Sequence, residues 1–158
     1  MSKIGKKPIE IPEDVAVTLA ESVLVFAGKN ARRELAVPRG VRAELDGKSL
    51  AFFADNNLKQ TRANWGTTRA LAMNALQGAQ KDFMKELHIE GVGFRAQMDA
   101  GKLVLNIGFS HPVVFLVPDG VAVSVEKNII KVSGSDKFLV GETAARIRAL
   151  KKPEPYKG

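Results

Sequence analysis

The sequence predicts an α+β protein of two similar domains from an internal duplication, each a mostly antiparallel sheet with one helix packed on a face. Three observations carry this. Val37-Pro38-Arg39-Gly40-Val41 returns eighty residues later as Val117-Pro118-Asp119-Gly120-Val121. An apolar-alternating run follows each copy, from Arg42 to Ala54 and from Ala122 to Gly134. Then Gly66-Thr67-Thr68-Arg69, or Gly141-Glu142-Thr143-Ala144, opens an Ala-rich stretch in which the hydrophobic period lengthens from two to about 3.6. The second pair of motifs is 75 residues apart rather than 80, a difference of one loop or a little over one helical turn. Such a repeat is a duplicated domain and not a solenoid unit of roughly 20–50 residues. The boundaries that follow are 1–82 and 83–158.

In the first half, Val15–Leu19 and Ser22–Phe26 read as short strands around a turn at Ala20-Glu21. Ala31–Val37, Val41–Leu45 and Leu50–Phe53 continue the pattern, punctuated by Gly28, Pro38-Arg39-Gly40 and Asp46-Gly47. Asp46-Gly47 between alternating runs is a strong hairpin signal. Leu58, Trp65, Ala72, Leu76, Ala79 and Phe83 then fall at helical spacing, with Asn56 or Asn57 as the expected cap. Gly66 and Gly78 argue against an unbroken helix.

In the second half, Glu86–Glu90, Phe94–Met98 and Lys102–Ile107 read as strands, with a turn at Asp99-Ala100-Gly101. Val113–Val117, Val121–Val125 and Ile129–Val132 follow. Ser135 or Asp136 starts a helix that runs to about Leu150, and Pro153 stops it. Val140, Ala144, Ile147 and Leu150 form its inner stripe, leaving Arg146, Arg148 and Lys152 for solvent or a partner.

Composition narrows the chemistry. The absence of cysteine excludes disulfides, thiolate catalysis and Cys-based zinc sites. The N-terminus has no signal-peptide apolar stretch, and no run approaches the ~18 apolar residues of a membrane span. A soluble, cytoplasmic protein without a membrane partner is expected. The net charge of +7 is placed unevenly: residues 1–7 hold +3 through Lys3, Lys6 and Lys7, residues 141–158 hold +3, and the 133 between hold +1. A near-neutral body with basic ends suits a polyanion binder whose contacts concentrate at its termini.

Gly91-Val92-Gly93-Phe94-Arg95-Ala96 has the spacing of a dinucleotide fingerprint, but that chemistry needs a helix to start at once. Only eight residues separate Gly93 from the strand at Lys102, so a bend between strands is expected, one that also lets backbone approach a phosphate. His88 and His111 are the only histidines and lack a second ligand at metal spacing. No carboxylate pair or nucleophile elbow stands out, so no metal, cofactor, small-molecule substrate or enzymatic activity is expected. Trp65 and Phe83 read as core anchors. The run from Arg146 through Arg148, Lys151, Lys152, Pro153, Tyr156 and Lys157 holds more cations than a helix C-terminus needs, which favours contact with a polyanion.

The ending Pro153-Glu154-Pro155-Tyr156-Lys157-Gly158 and the opening Ser2-Lys3-Ile4-Gly5-Lys6-Lys7-Pro8-Ile9 resemble the bacterial large-subunit ribosomal protein six family. Gly91 to Ala96 and Gly108-Phe109-Ser110-His111-Pro112-Val113 resemble its second-domain segments, and Gly66 to Arg69 its first-domain helix. The resemblance implies large-subunit ribosomal RNA as partner, bound mainly through the second domain near the sarcin–ricin loop and the stalk base. Ribosomal proteins neighbour that region and translational GTPases dock there. It implies a structural role on the cytoplasmic ribosome, with no reaction. Matched position by position, the expected RNA contacts are Arg146, Arg148, Lys151, Lys152, Tyr156 and Lys157. Arg95, Ser110 and His111 follow, with Lys3, Lys6 and Lys7 at the other basic end. The family continues past this motif with a further Lys-Gly and a basic tail, whereas this sequence ends at Gly158. A reading from another class stays open: a protein-interaction module whose basic ends serve only solubility.

Overall fold

The computed structural model describes residues 3–153, 155 and 156. The chain divides into two compact units, Met1–Asp82 and Phe83–Gly158. The first contains strands β1 (Ile9–Glu10), β2 (Ala16–Ala20), β3 (Val23–Ala27), β4 (Arg32–Ala36), β5 (Val41–Asp46) and β6 (Ser49–Ala54), then helix α1 (Lys59–Gln80). The second contains β7 (Phe83–His88), β8 (Arg95–Asp99), β9 (Lys102–Asn106), β10 (Val113–Leu116), β11 (Val121–Glu126) and β12 (Ile129–Gly134), then α2 (Lys137–Ala149). The strands of each unit pair as two antiparallel three-stranded sheets, β1-β6-β5 with β2-β3-β4 and β7-β12-β11 with β8-β9-β10. The two orders match strand for strand, the α+β fold of two similar domains that the repeat predicts.

The repeated pentapeptides are the same turn built twice. Val41 N donates to Pro38 O and Val121 N to Pro118 O, at 3.2 and 3.4 Å. Gly40 and Gly120 sit at φ +87° and +85°, where a side chain is strained. Each turn leads the chain into a hairpin, β5–β6 or β11–β12. Asp46 pairs with Ser49 across Gly47-Lys48, and Asp99 with Lys102 across Ala100-Gly101, as the turn chemistry predicts.

Three local expectations need correction. Phe83 is not on the helix: α1 ends at Gln80, and Phe83 opens β7, where it packs half-buried against the second core. Its helical spacing was an extension of the stripe past the helix end. Neither asparagine is the N-cap of α1. That position is Leu58, which has no capping side chain, while Asn56 Oδ1 accepts from the amide of Leu58 itself, ahead of the first turn, at 3.0 Å. Gly66 and Gly78 do not interrupt α1, because tertiary packing of this helix outweighs their low propensity.

The five-residue spacing difference resolves into two parts. The link from sheet to helix is two residues longer in the first unit, and α1 begins three residues further ahead of Gly66 than α2 does of Gly141. At the other end α1 runs six residues further past the shared glycine than α2 does. The added length changes what each helix covers. α1 packs mainly on β4 and β6 and reaches β3, so it spans both sheets of its unit, whereas α2 packs mainly on β7 and β12 of one sheet.

The first core joins Leu24, Phe26, Leu50 and Phe52 to Trp65, Leu76 and Ala79 of α1. Trp65 is anchored by its indole N–H, which donates to Phe52 O at 2.7 Å. Gly5 lies against the Trp65 ring, where a Cβ would come within 2.8 Å, so the basic N-terminal segment is seated on the domain. The last turn of α1 is sealed by the β3–β4 loop: Asn30 N donates to Ala79 O and Asn30 Nδ2 to Gly78 O, both at 3.0 Å. This closeness requires glycine at position 28, whose Cβ would sit 2.2 Å from Ala79 O. Gly28→Ala should therefore cost about 1–3 kcal/mol as an overpacked contact. Gly47→Ala, which meets nothing but sits at φ +54°, should cost about 1 kcal/mol. Urea unfolding followed by Trp65, the only tryptophan, reads this domain, and a Gly28→Ala midpoint no lower than that of the unsubstituted chain would contradict the account.

Candidate nucleic-acid interface

One end of the second domain gathers three segments: the β7–β8 loop (89–94), the β9–β10 loop (107–112), and the end of α2 with the chain that follows it. Residue equivalence explains why this end is open. At the 75-residue offset, Trp65 corresponds to Val140, Thr68 to Thr143 and Ala72 to Ile147, all buried. The match then fails, because Leu76, 3% exposed, corresponds to Lys151, which is exposed. Burying a leucine contributes about 2 kcal/mol, whereas an unpaired lysine ammonium is costly to desolvate and stays at the surface. The buried stripe, which reaches Ala79 in α1, therefore ends about two turns early at Ile147, and α2 closes at Ala149.

The helix is fixed at its start by Asp136, whose Oδ1 accepts from Phe138 N at 3.0 Å and Leu139 N at 3.4 Å. Its last turn carries Arg146 and Arg148 at the negative end of the helix dipole. Arg146 does more than offer charge: its guanidinium lies 5.5 Å from the Phe115 ring centroid, beside the core. Arg148, Lys151 and Lys152 are exposed and line a common cavity.

Past the buried Ile107, the β9–β10 loop presents the side chains of Phe109, Ser110 and His111 outward. Phe109 is 49% exposed, and Lys151 Nζ stands 4.8 Å from its ring centroid, a cation–π pairing that ties the loop to the helix end. Ser110 and His111 are exposed on the same loop, with His111 Nδ1 3.3 Å from Pro112 O. Gly91 and Gly93 take φ +150° and +76° in the β7–β8 loop, and Val92 between them is fully exposed. Strand β8 follows at Arg95, so the fingerprint spacing falls on a bend between strands.

The structure thus brings together Arg148, Lys151 and Lys152 with the loop of Ser110 and His111. Arg95 opens β8 opposite Asn106 of β9, next to the two loops. Tyr156 is 87% exposed on the tail, and Lys157 lies outside the described residues. Lys3, Lys6 and Lys7 belong to the first unit, where Arg69 Nε donates to Lys7 O at 3.2 Å. Sequence reasoning missed Phe109 and Val92. Both stand between turn-forming residues, where a large apolar side chain has no strand or helix face to bury it. Among the described residues, no group of three or more His, Cys, Asp or Glu side chains could hold a metal ion, and no helix is long and apolar enough to cross a membrane.

Fold and site define a duplicated α+β protein that offers a cationic, partly aromatic surface at one end of its second domain. The model of the family described as ribosomal protein L6 matches residues 90–158, nearly all of that domain. The large ribosomal subunit protein uL6 of Campylobacter fetus subsp. fetus (strain 82-40) is 46% identical over 158 residues, covering 100% of this chain and 89% of the relative. The protein of that name from Syntrophomonas wolfei subsp. wolfei is 46% identical over 159 residues, and that from Helicobacter hepaticus 44% over 158, with the same coverage. The chain belongs to the ribosomal protein L6 family, whose members are structural and not enzymatic.

Because Asp136 satisfies two donors at the start of the helix that carries the cations, Asp136→Ala should cost about 1 kcal/mol. Amide hydrogen exchange should speed up first at Phe138 and Leu139. Unchanged exchange there would contradict the capping role.

Proposed function

We propose that the protein is a structural component of the large ribosomal subunit that binds ribosomal RNA through the open end of its second domain. The RNA region is that near the sarcin–ricin loop and the stalk base, where the protein braces the site at which translational GTPases dock and meets neighbouring ribosomal proteins. Its place is the cytoplasmic ribosome. The observation that carries this reading is the meeting of Arg148, Lys151 and Lys152 with the exposed Phe109 loop at one end of the second domain.

The chemistry suits RNA backbone. Each cation placed against a phosphate releases condensed counterions, so affinity falls with salt in proportion to the phosphates neutralised. Arg148 can meet a phosphate with two parallel N–H donors, while Lys151 and Lys152 act as point charges. Ser110, His111 and Tyr156 can hydrogen-bond 2′-hydroxyls and phosphate oxygens across the shallow minor groove of an A-form helix. Arg95 and Arg146 belong to the same basic end, and Lys157, expected from the sequence as a further contact, lies outside the described residues. Lys3, Lys6 and Lys7 form a separate set on the first domain, held by the segment seated on Trp65.

A large-subunit RNA fragment containing the sarcin–ricin region should bind far more tightly than an unrelated duplex across a salt series. Arg148→Ala and Lys151→Ala should each lower the slope of log affinity against log salt by about one, with melting unchanged. Arg146→Ala should in addition cost about 0.5–1 kcal/mol of stability, because it removes the cation over Phe115. Equal binding of both RNAs, or a ribonuclease-resistant complex with a protein partner instead, would overturn the reading.

A further inference from the structure

The open end of the second domain is a cavity as well as a charged surface. Its volume is about 880 Å³, within the roughly 300–1,000 Å³ of small-ligand sites. The floor consists of the buried side chains Leu105, Ile107, Ile130 and Ile147, with Phe94 as a half-buried aromatic wall. Arg148, Lys151 and Lys152 stand at the rim, with Glu90 the one carboxylate among the described lining residues. Phosphate contact needs only the rim. An apolar floor with an aromatic wall behind a cationic mouth fits a ligand that joins a flat, weakly polar body to a phosphate.

The first domain shows what closing this space takes. Leu103 corresponds to Leu24 and Leu105 to Phe26, the second and fourth residues of their strands and the buried ones in each. There Phe26 and Leu76 fill the core beneath the longer helix, whereas the second domain has the smaller Leu105 and the surface residue Lys151. We propose that the cavity receives an unstacked nucleobase of the bound RNA, with the flanking phosphates held by Arg148, Lys151 and Lys152. This rests on the RNA-binding reading above and refines it: the protein reads an unpaired nucleotide in addition to backbone shape. Extrusion is least costly where a base is already unpaired, so the target is a loop, bulge or end and not a continuous duplex.

The test uses the full chain with ¹³C-labelled Ile and Leu methyls and three probes: a short single-stranded oligoribonucleotide, an abasic ribose-phosphate strand of equal length, and a blunt RNA duplex. The base-bearing strand should shift the methyl signals of Leu105, Ile107 and Ile147 and bind about tenfold more tightly than the abasic strand. Leu105→Phe, which copies the first domain's residue, should abolish that advantage and leave abasic and duplex binding unchanged. Ile107→Phe is a second filling variant should the first not fold. Equal affinity for base-bearing and abasic strands, or motionless floor methyls, overturns base insertion while leaving phosphate binding intact. Failure of all three probes at low salt overturns the RNA-binding reading with it.

Discussion

Helix reach is the constraint on which the rest of each domain depends. Two three-stranded sheets leave apolar faces that one helix must cover, and the number of turns it keeps against them decides what stays closed. α1 carries Leu76 and Ala79 into the core and ends under the β3–β4 loop, which hydrogen-bonds its last carbonyls. α2 reaches Ile147 and then meets Lys151, whose charge will not enter that core. The open end of the second domain follows from that change of residue type together with Pro153, which stands where α1 has Gly78 and does not let the helix continue.

Consequences spread from there by ordinary packing. Past Ile107, Phe109, Ser110 and His111 of the β9–β10 loop face outward. The ammonium that stopped the stripe returns over the Phe109 ring and fixes the loop's position. Cations at the end of α2 are favoured by the helix dipole, so the residues proposed to meet RNA also suit their helix. Duplication thus yields one closed domain and one open domain from a shared plan, and the family match falls on the open one.

Much of this was legible in the chain. The repeat, the hairpin turns and the period change give the fold, because each is a local signal that tertiary structure preserves. The helix limits were less legible: Phe83 keeps the helical spacing after α1 has ended, and Asn56 accepts from the amide of the cap residue Leu58 without itself being the cap. Strand β1, two residues long, carries too little pattern to be seen. The basic end was legible as charge, but its depth was not. The cavity beneath Arg148 and Lys151 depends on sheet-to-helix coverage, and only the offset between Leu76 and Lys151 hints at it in sequence.

Because the chain contains no cysteine, single cysteines can carry an iron–EDTA probe without background. The most direct measurement tethers this probe at Ser110→Cys on the open end, or at Asp46→Cys on the β5–β6 hairpin of the closed domain, in assembled large subunits. Hydroxyl-radical cleavage mapped along the ribosomal RNA should be strong and confined to the sarcin–ricin and stalk-base region from position 110, and weaker from position 46. Cleavage of that region from position 46 alone, or from neither, would contradict the account.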